Sequence, residues 1–226
     1  IAIKLNLELA SFDGSVSYFN GYNPYPGMAI GIMDIDTLRI ISKAYRIRIA
    51  GADFSTSSGP YGFRGEFAFR DPQADYEASI HIPNPDLQYV FGMDREFGDF
   101  SIILQYAGRF VVDFEELNEP QNPEELFQYE VALKNRIFSF QTNEISHSFS
   151  FRSSWSLMYD VLALEIFSLY NFTTEDFFFR PQLSYDLADA LTFTAGGEYY
   201  TGPSETLYDL IDETLNSIFI ELKTSF

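Results

Sequence analysis

The chain has 226 residues and a formal net charge of −19, from 33 acidic and 14 basic side chains, with 46% hydrophobic and 18% aromatic residues and no cysteine. Without cysteine, and with only His81 and His147, disulfide scaffolds, cysteine-based zinc centres, thiol nucleophiles, iron–sulfur clusters and c-type haem attachment are excluded, and no metal or cofactor is expected. The deep negative balance speaks against a nucleic-acid partner, and no apolar run approaches the roughly eighteen residues of a membrane-spanning helix.

The chain opens with IAIKLNLELA, where Ile3, Leu5, Leu7 and Leu9 alternate with Lys4, Asn6 and Glu8. Such alternation puts the two sets on opposite faces of an extended strand. No basic-then-apolar leader precedes it, so the chain reads as mature or truncated. Strands are predicted over 1–11 and 15–23, around a turn at Ser11–Gly14, and a connection over 24–44 follows. The next pair, 45–56 and 61–70, turns at Ser57–Pro60; in it Phe63, Phe67 and Phe69 oppose Arg64, Glu66 and Arg70. After a connection over 71–86, strands at 87–96 and 99–112 turn at Phe97–Gly98. In the second of these, Ile102, Leu104, Tyr106 and Phe110 oppose Gln105 and Arg109.

The connection over 113–144 is the longest and carries Asp113, Glu115, Glu116, Glu119, Glu124 and Glu125 ahead of a helix predicted over Pro123–Arg136. Strands at 145–156 and 161–173 turn at Leu157–Asp160, and those at 177–186 and 190–202 turn at Leu187–Asp189. The stretch 203–216 is read as a loop, and a last strand fills 217–226. Tight turns thus gather at one end of the strands and loop mass at the other. Eleven strands is an odd count, whereas complete bacterial barrels have an even one. The chain is therefore expected to be either a single barrel domain or the C-terminal portion of a larger one, unless Met28–Ile35 or Tyr76–Ile82 is a further strand.

A strand of period two buries its apolar face in a protein core or in lipid, and the polar face helps to decide. Arg46, Arg48, Arg64, Glu66, Arg70, Arg109, Arg152, Glu165, Arg180, Glu198, Glu221 and Lys223 are all assigned to that polar face. The apolar face is rich in Phe, and tyrosines such as Tyr45, Tyr61, Tyr89, Tyr170, Tyr185 and Tyr199 recur near strand ends. Aromatic girdles around an apolar band suit a membrane–water interface. Strands of about 10 residues also match the 9–11 tilted residues that cross the hydrocarbon layer.

The terminal SIFIELKTSF, with Ile220 and Leu222 alternating toward Phe226, resembles the C-terminal assembly strand of Gram-negative outer-membrane proteins. Thr224 stands where such strands more often carry a bulky hydrophobic residue. The stretches YRIRIAGADFSTSSGPYGFRGEFAFRDP and YNFTTEDFFFRPQLSYDLADALTFTAGGEYYTGP resemble poorly characterised porin-like barrels of that membrane. The resemblance implies an outer-membrane location, contact with lipid and lipopolysaccharide, and assembly by the barrel-assembly machinery.

Two chemistries are associated with such barrels. A lipase-like pair on one strand face would read His-x-Ser, but His147 is followed at that spacing by Phe149. An omptin-like protease would pair Asp34 and Asp36 with an Asp-x-His, but Ser79 and Ile145 precede the histidines. No enzyme activity is expected. The expected fold is all-β, an antiparallel transmembrane β-barrel with about 11–12 strands in this chain. Its expected function is porin-like passive diffusion of small polar or anionic solutes past the arginine-bearing wall, with Asp113, Glu115, Glu116 and Glu119 forming a constriction loop. The alternatives are a structural barrel that sheathes a partner protein and a soluble acidic carbohydrate-binding β-domain. Homo-oligomerisation is left open.

Overall fold

The computed structural model describes residues 1–31, 39–73, 76 and 78–224. Asp34, Asp36 and Phe226 lie outside them. An 11-stranded antiparallel sheet dominates, in the order β1-β2-β5-β6-β7-β8-β9-β10-β11-β12-β13. The strands are β1 (Ala2–Leu9), β2 (Phe12–Tyr22), β5 (Arg46–Ser58), β6 (Tyr61–Pro72), β7 (Asp86–Phe97), β8 (Phe100–Val111), β9 (Ile145–Leu157), β10 (Leu162–Asn171), β11 (Phe177–Ala188), β12 (Leu191–Thr201) and β13 (Ser217–Thr224). Each neighbours the next in chain order. β3 (Gly27–Ile30) and β4 (Ile40–Lys43) form a separate hairpin within the second connection, so the described part of the Met28–Ile35 alternative lies in a short strand that adds nothing to the main sheet, and residues 32–35 lie outside the described residues.

The turns follow from local chemistry. Ser58 faces Tyr61 across Gly59–Pro60, and Phe97 faces Phe100 across Gly98–Asp99. Gly59 and Gly98 have φ of +58° and +63°. Two-residue hairpin loops require positive φ to match strand twist, and glycine adopts it without steric cost.

At the opposite end the connections carry the β3–β4 hairpin, α1 (Leu126–Ser139) and α2 (Leu207–Leu215). The first helix lies close to its predicted place. The second occupies the stretch read as a loop. Thr206 caps it, its side chain accepting a hydrogen bond from the Asp209 amide at 3.3 Å, which satisfies one of the free donors of the first turn.

Directly opposed residues in a sheet share a face, so the register sorts every side chain. One face carries Ile3, Leu5 and Leu7, Phe67 and Phe91, Phe149 and Trp155, Phe179, and Ile218, Ile220 and Leu222. Among the described residues no second sheet covers it. Leu5 remains 66% exposed and Ile220 73%. The buried apolar side chains instead gather where loops meet the opposite face, among them Ile47, Val111, Val131 and Ile137. A sandwich would bury its apolar faces between two sheets; here the apolar face of the main sheet stays exposed, which speaks against the soluble carbohydrate-binding reading.

Candidate functional site

The other face of the sheet concentrates the charge. Lys4 lies across from Ser17, which lies across from Gly51; Gly51 faces Ala68, and Ala68 shares its face with Arg64, Glu66 and Arg70. Continuing the register places Asp86, Gln88 and Asp94 of β7, Gln105 and Arg109 of β8, and Arg152 of β9 on this face. Glu165 of β10, Arg180 of β11, Glu198 of β12, and Glu221 and Lys223 of β13 complete it.

Arg46 and Arg48 do not belong there. Arg48 is opposite Asp71 and Ala50 is opposite Phe69, so both arginines share the apolar face. They sit at the loop end of β5, where Arg48 pairs with Asp71 at 2.5 Å and Arg46 donates to Asn20 at 2.8 Å and lies 5.4 Å from the Tyr22 ring. Their assignment to the polar face is corrected by the register. Ile47 and Ile49 take the inward positions, and Ile47 is 2% exposed.

The charges are arranged as ion pairs. Arg64 holds Asp94, Arg152 holds Glu165 at 3.0 Å, Arg180 meets Glu198 at 3.5 Å and Lys4 meets Asp53 at 3.3 Å. Gly92 lies opposite Arg64, and a Cβ there would come 2.8 Å from Arg64 Cγ. The glycine leaves room for the guanidinium to lie along the wall. Asp53, Asp86 and Asp94 were not among the residues singled out from sequence. Their signal was alternation in step with the arginines, visible once strands are paired.

Asp86 is the centre of a different cluster at the loop end, where its carboxylate is completely buried. Arg70 donates to it through Nε and Nη2, both at 2.9 Å, and Gln141 Nε2 donates at 2.9 Å. Gln88 Nε2 donates at 3.2 Å and Arg109 lies at 3.7 Å. Arg109 also donates to the carbonyls of Ser139 and Phe140, at the C-terminal end of α1. A guanidinium suits that position because helix carbonyls are unsatisfied there and the helix dipole is negative. Asn135 of α1 exchanges hydrogen bonds with the Met28 backbone of β3, both at 2.8 Å. The longest connection is therefore pinned to the charged wall.

That anchoring does not use the residues expected to form a constriction. Asp113, Glu115, Glu116 and Glu119 are all exposed, and none pairs with a wall arginine. Asp113 accepts from Tyr76 at 2.8 Å, and Glu115 contributes its backbone carbonyl to Arg136. The wall arginines are already taken by wall carboxylates, and the α1 carbonyls offer Arg109 a shorter route. On this geometry the loop reaches the wall through Ser139, Phe140 and Gln141.

Open space lies in front of the charged face. A concavity of about 870 Å³ is lined by Lys4, Asp13, Asp53, Arg64, Glu66 and Asp94. A second, of about 780 Å³, lies at the loop end among Phe114, Tyr129, Arg136, Glu144 and Glu205. The histidines stand apart from both. His147 is on the apolar face, its Nδ1 2.6 Å from the Tyr106 hydroxyl and its backbone amide bonded to Thr173. His81 is buried in the β6–β7 connection, and burial together with Lys43 holds its pKa below the usual value. Among the described residues no group of three His, Asp or Glu side chains could hold a metal ion.

No family model and no curated protein matches the sequence. Among solved structures, a KdgM porin in complex with disordered oligogalacturonate aligns over 100% of this chain and 99% of its own, at 8% identity and a TM-score of 0.36. Outer membrane phospholipase A from Escherichia coli aligns over 98% of this chain and 75% of its own, at 11% identity and a TM-score of 0.38. An antiparallel sheet whose strands carry lipid-suited side chains on one face and charges on the other has the polarity of a transmembrane β-barrel wall.

Proposed function

We propose that the chain forms a porin-like path through the Gram-negative outer membrane, in which small polar solutes diffuse along the charged face. The carrying observation is the inversion of polarity across the sheet: large apolar side chains stand exposed on one face, while Arg64, Arg152 and Arg180 stand about half exposed among carboxylates on the other. Charged side chains facing hydrocarbon are costly, whereas a water-filled interior accommodates them. Filtering by width and by the field of the lining needs no covalent step. The residues proposed to line the path are Arg64, Glu66, Arg70, Arg109, Arg152, Glu165, Arg180, Glu198, Glu221 and Lys223. Ile220 and Leu222 lie on the lipid-suited face of the final strand, in keeping with an assembly signal read from the membrane side.

The pinned connections favour a second reading, a structural barrel whose mouth is closed by its own loops or around a partner. Solute flux distinguishes the two. Vesicles containing the refolded full chain should swell in an isosmotic solution of a small sugar, and swelling should slow as the sugar grows. Folded, inserted protein that admits no solute of any size would overturn the channel reading.

A further inference from the structure

Arginines are numerous on the inner face, yet they do not set its charge. Arg64, Arg70, Arg152 and Arg180 each lie against a carboxylate of that face, as does Lys4. Arg109 sits beside Asp86 and is covered by the end of α1. A guanidinium locked to a carboxylate presents a passing ion with a dipole in place of a net charge, and that field falls off much faster with distance. The carboxylates are not matched in the same way. Glu8, Asp13, Glu66, Glu96, Asp186 and Glu221 share this face, are exposed, and have no basic partner among the described residues. Against them stands Lys223, exposed and likewise without a carboxylate partner among the described residues.

The unmatched carboxylates also have a place. Glu8 lies directly opposite Asp13 beside the β1–β2 turn, and Glu96 and Asp186 stand near the turn ends of β7 and β11. Glu66 and Asp13 border the concavity of about 870 Å³, so open space lies before them. We infer that the path prefers cations: small monovalent cations are drawn in at the tight-turn end and pass in excess over anions of similar size. The sign is opposite to the one suggested by the arginines alone. Fixed charge along a confined, water-filled path raises the local concentration of counter-ions and lowers that of co-ions. This inference rests on the channel reading above.

The test is the reversal potential of the refolded full chain in a planar bilayer under a KCl gradient. The expected result is conductance with K⁺ favoured over Cl⁻ severalfold, the preference shrinking as salt rises and the Debye length falls from about 10 Å at 0.1 M to about 3 Å at 1 M. Conductance with no preference, or with Cl⁻ favoured, overturns the inference and leaves the channel standing. Absence of conductance from inserted protein overturns the channel reading, and the inference falls with it. The double variant Glu8→Gln, Asp13→Asn changes two exposed side chains with no ion-pair partner among the described residues to lose, and should bring the K⁺ to Cl⁻ ratio toward one while conductance persists. An unchanged ratio would also overturn the assignment.

Discussion

At the scale of single residues, Asp86 and Asp94 make the same kind of contact with opposite consequences. Asp94 and its partner Arg64 are 33% and 48% exposed at the side chain, and exposed pairs contribute about 0–1 kcal/mol because water and salt screen them. Asp86 is fully buried and receives Arg70, Gln88 and Gln141 with Arg109 beside it. Removing one partner from a buried pair leaves an uncompensated charge at a cost of about 3–5 kcal/mol. Asp86→Asn should therefore lower the urea midpoint of the inserted protein well below that of Asp94→Asn, and loosen the connection that Gln141 and Arg109 hold. Equal midpoints for the two variants would mean that the buried cluster does not anchor the loops.

At the scale of elements, α2 is held by rings. Tyr208 packs edge-on to Tyr200 at 5.4 Å, and Tyr200 stacks on Phe178 at 4.5 Å, both on the inner face near the loop end. Burial pushes the Tyr208 phenol up to about 12 from an ordinary 10, with Asp176 and Tyr200 adding to the effect. A raised phenol pKa means that docking favours the neutral form; its contribution is complete below pH of about 10 and is lost as pH rises through about 12. Near-ultraviolet dichroism of the native chain should change across that window, and Tyr208→Phe should remove that part of the change. Identical titrations would place the ring in water. This helix is passed over in the sequence because LYDLIDETL is only 9 residues long, and so short an apolar periodicity reads as part of a loop. Its local signs are Leu207, Leu210, Ile211 and Leu215 at helical spacing and Thr206 followed three positions on by Asp209, a pattern close to a capping box. The strands were legible because their alternation survives over many residues, as in β6, where Phe63, Phe67 and Phe69 point to one face and Arg64, Glu66 and Arg70 to the other. Arg46 and Arg48 show where alternation stops being informative. In YRIRIA either set can face inward, and loops cover the inner face at that height, so Ile47 is buried there and the arginines go to the rim.

At the scale of the whole molecule, the placement of apolar surface decides what solvent the sheet needs. Ile47, Val111, Val131 and Ile137 are buried under the loops, while among the described residues no protein layer lies over the broad apolar face. Left in water, that face would be an aggregation surface far larger than soluble proteins tolerate. In a bilayer it is matched, and every strand of the main sheet except the two at its edges, β1 and β13, is hydrogen-bonded to a neighbour on both sides. The single tryptophan reports on this directly. Trp155 lies on the apolar face of β9, opposite Phe100 and Leu164, and is 48% exposed. Its position near the tight-turn end puts it at the edge of the apolar band, where indole rings settle between hydrocarbon and headgroups. In vesicles its emission should be quenched by lipids carrying bromine on the acyl chain near the carbonyl, and only weakly by iodide in the aqueous phase. The reverse pattern would place this face in water and the charged face against lipid, which the exposed Arg152 and Glu165 pair, opposite in orientation to Trp155, would make energetically untenable.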